Sequence, residues 1–193
     1  MAVQAGERKQ QILQTLAHML ENPRGEKITT AALAARLDVS EAALYRHFAS
    51  KAQMYEGLIE FVEHTLFGLI NRITSEEANS LRQIDAILSL LLGFAQKNPG
   101  MTRVLIGEVL VNEDERLQQR VNQLHDRLEA SLKQAVKLGV GQQQLRADLD
   151  AGNLANLLVC VVDGRWHQFV KSGFKRQPMD GWEAQRDLLL GGV

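Results

Sequence analysis

Apolar residues recur at three- and four-residue intervals along nearly the whole chain, the spacing of helices that bury one face. From Glu7 to Glu21, Ile12, Leu13, Leu16, Met19 and Leu20 form one stripe, and Asn22-Pro23-Arg24-Gly25 ends it. Two short helices follow between Thr29 and Lys51. A long fourth helix is predicted from about Ser50 to Thr74, with Met54, Leu58, Phe61, Val62, Leu66, Ile70 and Ile73 along it. Ser80 is placed to cap a fifth helix that reaches Lys97, before Pro99 and Gly100 punctuate the chain. A sixth is predicted over Met101 to Leu110. A seventh, capped near Asn112, runs from Glu113 to Leu138 and carries charges of alternating sign, a solvated face. Gly139-Val140-Gly141 breaks the pattern. An eighth begins near Asp148 or Asp150 and runs to Lys171, and a ninth follows Asp180 to about Leu190. No stretch alternates with the period of a strand, so the expected fold class is all-α.

The most informative segment is TTAALAARLDVSEAALYRHFASK, Thr29 to Lys51. Small side chains (Ala31, Ala34, Ala35, Ala42, Ala43) let two helices cross closely, and Val39 fills the crevice at the turn Asp38-Val39-Ser40. Leu33, Leu37, Leu44 and Phe48 recur at helical spacing and face inward. Ser40 caps the second helix. This is the pattern of a helix-turn-helix whose second helix enters the DNA major groove. The outward residues are Glu41, Tyr45, Arg46 and His47, with Lys51 at the start of the next helix. Tyr45 and His47 suit phosphate or sugar, Arg46 suits a phosphate or a guanine edge, and Lys51 suits a phosphate. Thr29 and Thr30 are placed both to cap and to reach a phosphate. A helical hairpin inside any bundle uses alanine and leucine in the same way; the cap, the short turn and the Tyr-Arg-His edge favour DNA.

Composition narrows this picture. The net charge of −1 over 193 residues shows no bulk affinity for nucleic acid, so any basic surface is local and a dimer is needed for tight binding. Cys160 is the only cysteine; within the apolar run Leu154 to Val162 it reads as a small core residue. The N-terminus has no hydrophobic signal segment and no apolar run is long enough to span a bilayer, which predicts a cytoplasmic protein. His18, His47, His64, His125 and His167 lack metal-ligand spacing, and GVGQQQ is not followed by the Lys-Ser/Thr of a phosphate loop. Neither catalysis, a metal nor a cofactor is expected. The seventh and eighth helices are the candidates for a contact between subunits; Leu154, Leu157, Leu158, Val161, Val162, Trp166 and Phe169 make a broad apolar face, which is either core or that contact. Symmetry favours a two-fold dimer, because one motif reads only a half-site of a palindrome.

The block ITTAALAARLDVSEAALYRHFASK, with its Tyr45-Arg46-His47-Phe48 core and Lys51, resembles the DNA-binding domain of TetR-type regulators. LIEFVE (from Leu58), LLLGFAQKNPGMTRVL (from Leu90), RLQQRVNQLHDRLE (from Arg116) and FVKSGFKRQP (from Phe169) resemble, more narrowly, the SlmA family of nucleoid occlusion factors. The resemblance implies a three-helix DNA-binding domain over residues 1–50 and a larger helical dimerisation domain over 51–193. It also implies a homodimer built from the last helices, association with the nucleoid, and a partner, the cell-division protein FtsZ, whose ring assembly is blocked over DNA. The dimer contact expected on that basis is Leu154, Leu158, Val161, Val162, Trp166 and Phe169. The family's FtsZ contacts match here at Phe61, Leu90, Gly93 and Asn98. Lys97 stands where the family has Arg, which keeps the charge but not the bidentate geometry. Leu69 also replaces an Arg, with Arg72 one turn along. Ala32 replaces a lysine and Ala49 a proline. A TetR-type repressor that responds to a small ligand is the alternative, and it would hold an enclosed apolar pocket of several hundred Å3.

Overall fold

A computed structural model describes residues 5–22, 28–111 and 113–191, and every regular element among them is helical. The helices are α1 (Ala5–Leu20), α2 (Thr30–Arg36), α3 (Glu41–Tyr45), α4 (Lys51–Glu76), α5 (Ser80–Lys97), α6 (Pro99–Leu105), α7 (Glu115–Gly141), α8 (Ala151–Lys171) and α9 (Trp182–Leu190). A 3-10 turn, Glu108–Leu110, separates α6 from α7. The expected stop at Pro23-Arg24-Gly25 and the expected cap Asn112 lie outside the described residues.

The starts of the helices follow from their caps. Thr29 accepts from the Ala32 amide at 3.1 Å and Ser40 from the Ala43 amide at 3.3 Å, which begins α2 and α3. Before α4, the Ser50 hydroxyl accepts from the Gln53 amide at 3.2 Å while Gln53 Oε1 accepts from the Ala49 amide at 2.8 Å, a variant of the capping box. Asp150 accepts from the Asn153 amide at 2.7 Å and starts α8. Two expectations need correction. The cap of α5 is Asn79, whose Oδ1 accepts from the Arg82 amide at 3.0 Å. Ser80 is buried, and its amide and hydroxyl both donate to Gln144 Oε1, at 2.8 and 3.0 Å. The sixth helix does not reach Leu110. It ends at Leu105 because Gly107 adopts φ +74°, a left-handed conformation only glycine takes without strain, and the chain re-enters a 3-10 turn.

The chain forms two compact units, residues 1–62 with 98–121, and residues 63–97 with 122–193. The core of the first is α1, α2, α3, the first part of α4, α6 and the start of α7. Ile12, Leu16, Leu20, Leu33, Leu44, Met54, Leu58, Ile59, Val104 and Leu117 are each at most 1% exposed. Gly100 brings α6 onto α1: a Cβ there would lie 2.1 Å from the Ala17 carbonyl oxygen. Arg103 then donates to the carbonyls of Leu20 and Asn22 at 3.0 and 3.1 Å, satisfying the last acceptors of α1. In the second unit α5 and α8 bury Ile84, Ile87, Leu88, Leu91, Leu92, Leu158, Val162 and Trp166. Trp166 Nε1 donates to the Leu91 carbonyl at 3.2 Å and Trp182 Nε1 to the Ser89 hydroxyl at 3.1 Å, so both indoles are satisfied in the interior. Cys160 is not core: it is exposed on α8 and its Sγ faces Asn156 Oδ1 at 3.8 Å.

Candidate nucleic-acid interface

The first unit presents the helix-turn-helix. Leu33 and Leu44 lock α2 against α3 from within, both 1% exposed, and Val39 packs partly buried against the same core. That inward packing turns the other faces outward. Thr29, Glu41, Tyr45 and Arg46 are exposed; Thr30, His47 and Lys51 are half-buried. Asp38, in the turn, has φ +54°. This is a left-handed conformation that a short polar side chain tolerates better than most. α3 ends at Tyr45, earlier than the spacing suggests, although the Phe48 amide still bonds the Leu44 carbonyl at 3.1 Å and carries Arg46 and His47 round one further turn.

Three of the expected contact residues are joined to one another. The Tyr45 hydroxyl donates to Thr30 Oγ1 at 3.4 Å, and Thr30 donates to Glu41 Oε2 at 2.6 Å. This bridge fixes the phenol ring across α2 and α3. It also occupies Thr30 and Glu41 with each other. Arg46 enters no ion pair among the described residues, so its five donors remain available for a planar, bidentate partner.

Lys51 is placed differently from the expectation of an open cation. Its ammonium pairs with the Glu113 carboxylate, in the connector after α6, and lies 5.5 Å from the centroid of the Tyr55 ring. The two charged side chains are 22% and 17% exposed. Glu113 also bears on Tyr55, whose hydroxyl is pushed up to about 12, first by burial and then by that carboxylate, with Arg103 opposing. Glu113 is 62 residues from Lys51, and no local pattern in the sequence links them. The local positive excess of the edge is therefore smaller than a count along Ser40 to Gln53 suggests.

The residues expected to meet a protein partner fall in both units. In the first, Phe61 is 47% exposed and borders an apolar groove of about 70 Å3 lined by Gln10, Leu13, Gln14, Leu58 and Met101. Asn98 occupies the N-cap position of α6 without a side-chain cap bond, while its carbonyl accepts from the Thr102 hydroxyl at 3.0 Å. In the second, Leu90 and Gly93 are half-buried on α5 and Lys97 is exposed; Leu69 on α4 is 39% exposed. A Cβ at Gly93 would meet no atom within 4 Å, so close packing inside the chain does not explain this helical glycine. On α8, Leu154, Leu158, Val162, Trp166 and Phe169 are buried within the chain itself, and Val161 is half-buried. The outward stripe is Leu157, Cys160, Val161 and Gly164. An open cleft of about 300 Å3 in the second unit is lined by Ile70, Asn71, Thr74, Gln83, Ser131, Gln134, Ala135 and Leu138. It mixes amides and hydroxyls with apolar groups. No described helix is long and apolar enough to cross a membrane, and no described cluster of His, Cys, Asp or Glu is suited to a metal ion.

Comparison with known proteins agrees with this architecture. Residues 25–58 match the family model described as bacterial regulatory proteins, tetR family, and residues 78–192 match the model described as tetracyclin repressor-like, C-terminal domain. The chain is 53% identical over 189 residues to the nucleoid occlusion factor SlmA of Idiomarina loihiensis, covering 98% of this chain and 96% of that one. It is 50% identical to the SlmA of Alteromonas mediterranea over 184 residues, covering 95% and 94%. Among solved structures, a TetR transcription regulator from Haloarcula marismortui superposes with a TM-score of 0.82 at 16% identity, covering 97% of this chain and 98% of that one. FadR from Bacillus subtilis, in complex with stearoyl-CoA, gives 0.76 at 16%, covering 95% and 98%. At such identities these two structures speak for the fold alone.

Proposed function

The chain belongs to the SlmA family of nucleoid occlusion factors, within the TetR-type regulators, and from that premise we propose that it binds palindromic chromosomal sites as a homodimer and, so bound, engages FtsZ and blocks Z-ring assembly over the nucleoid. The family consists of DNA-binding regulators rather than enzymes. The observation that carries the proposal is identity of about half the residues across nearly the full length of both chains. It extends through the second unit, outside the DNA-binding motif that all TetR-type regulators share.

The geometry of the edge and the family resemblance support the following roles. Tyr45, with Thr30 and Glu41 behind it, forms a pre-ordered edge, and Arg46 and His47 extend it toward phosphates or a guanine. Thr29 adds its hydroxyl at the start of α2, and Lys51 supplies a cation once its partner is exchanged. Phe61 and Asn98 in the first unit, with Leu90, Gly93 and Lys97 in the second, are the residues that meet FtsZ. The subunits join through the outward stripe of α8, where Leu157 is 49% exposed and Cys160, Val161 and Gly164 follow at intervals of three and four. Five of the six residues first expected at that contact serve as core beneath it.

The test is complementation in cells that lack their own SlmA. The wild-type chain restores exclusion of FtsZ rings from the nucleoid, and Arg46→Ala does not. Restoration by wild type and Arg46→Ala alike sinks the requirement for DNA; restoration by neither sinks the assignment.

A further inference from the structure

We propose that Glu113 is a brake on DNA binding: in the DNA-free protein it holds the Lys51 ammonium, and a duplex binds by exchanging that carboxylate for a phosphate, which releases the connector between α6 and α7. This rests on the reading of Lys51 as a phosphate contact. Lys51 is the first residue of α4, directly after the exposed Tyr45–His47 edge, so its backbone is placed to serve the interface. Its side chain nevertheless points to Glu113, over the Tyr55 ring, and is largely withdrawn from solvent. Arg103, the other cation that bears on Tyr55, is already committed. It donates to Glu108 at 2.9 and 3.3 Å and to the carbonyls of Leu20 and Asn22. Glu113 thus has Lys51 as its ion-pair partner, and Lys51 has Glu113.

When a phosphate takes Lys51 from Glu113, the cation the duplex gives up is offset by the one the freed carboxylate attracts, and a carboxylate beside the phosphate path repels it. Freeing Glu113 acts on the connector and not on α7, because it lies before that helix begins at Glu115; its own amide bonds the Leu110 carbonyl at 2.9 Å. Reciprocity follows: whatever draws Glu113 away from Lys51 tightens DNA, and DNA loosens the connector by the same factor.

The experiment measures affinity by fluorescence anisotropy over a range of salt, on a duplex that the wild-type full-length protein selects from a random-sequence pool. Wild type, Glu113→Gln, Lys51→Ala and the double variant are compared, with sedimentation velocity confirming equal assembly. Glu113→Gln is expected to bind roughly tenfold more tightly near ~100 mM salt, with a log–log salt slope steeper by about one unit per subunit. Adding Lys51→Ala removes that gain. Equal or weaker binding by Glu113→Gln overturns the brake, as does an equal gain in the Lys51→Ala background, which would mean general repulsion. If the wild type selects no duplex, the DNA reading falls and the brake with it. Amide exchange on the unaltered protein reads the same device without a variant: residues 108–114 exchange faster when duplex is added, and unchanged or slower exchange overturns the inference.

Discussion

Asp38 shows how one residue sets the edge proposed to meet DNA. Its φ of +54° turns the chain between α2 and α3, and Val39 and Ser40 follow as plug and cap. A β-branched side chain resists this conformation, so Asp38→Val is expected to cost about 1–2 kcal/mol, measured by urea denaturation, and to weaken DNA binding in parallel. The residue types in this motif were legible from their order alone, because caps and inward leucines are local. The Tyr45–Thr30–Glu41 bridge was not, since it joins two helices through side-chain rotamers. Lys51 was legible as a cation but not as a paired one, because its partner is remote in sequence and set by tertiary packing.

At the scale of elements, periodicity located the helices and missed what interrupts or anchors them. Helix α8 starts where Asp150 announces it. The predicted sixth helix splits because Gly107 adopts φ +74°, which a helical spacing of apolar residues does not reveal. The apolar face of α8 was plain, but which side turned inward was not. Burial assigns Trp166 and its neighbours to the core, and the milder stripe with Leu157 and Cys160 faces out. Gly93, like Gly68 on α4 and Gly164 on α8, is a helical glycine at which an added Cβ would meet no atom of the chain within 4 Å. Gly93→Ala is expected to stabilise the protein by about 1 kcal/mol in urea denaturation. If FtsZ approaches the backbone there, the same variant pellets less with FtsZ filaments; stabilisation with undiminished pelleting removes Gly93 from the contact.

At the scale of the molecule, the net charge of −1 and the modest positive excess of the edge leave a single subunit with little hold on a duplex. Two linked edges convert the second contact into an intramolecular event, which makes dimerisation the condition for tight binding. Leu157 lies outside the core, so Leu157→Glu is expected to leave the melting transition nearly unchanged. It should shift sedimentation velocity to monomer and lower duplex affinity by at least about tenfold. A dimer that persists in this variant moves the two-fold contact elsewhere. Whether the DNA-bound dimer acts on FtsZ is read by co-sedimentation of FtsZ polymers with the wild-type protein, with and without its selected duplex. The protein–duplex complex is expected to bind FtsZ and to reduce or reorganise the pelleted polymer, and the protein without duplex to do so less. FtsZ polymers that pellet unchanged, with the complex left in the supernatant, would contradict that expectation.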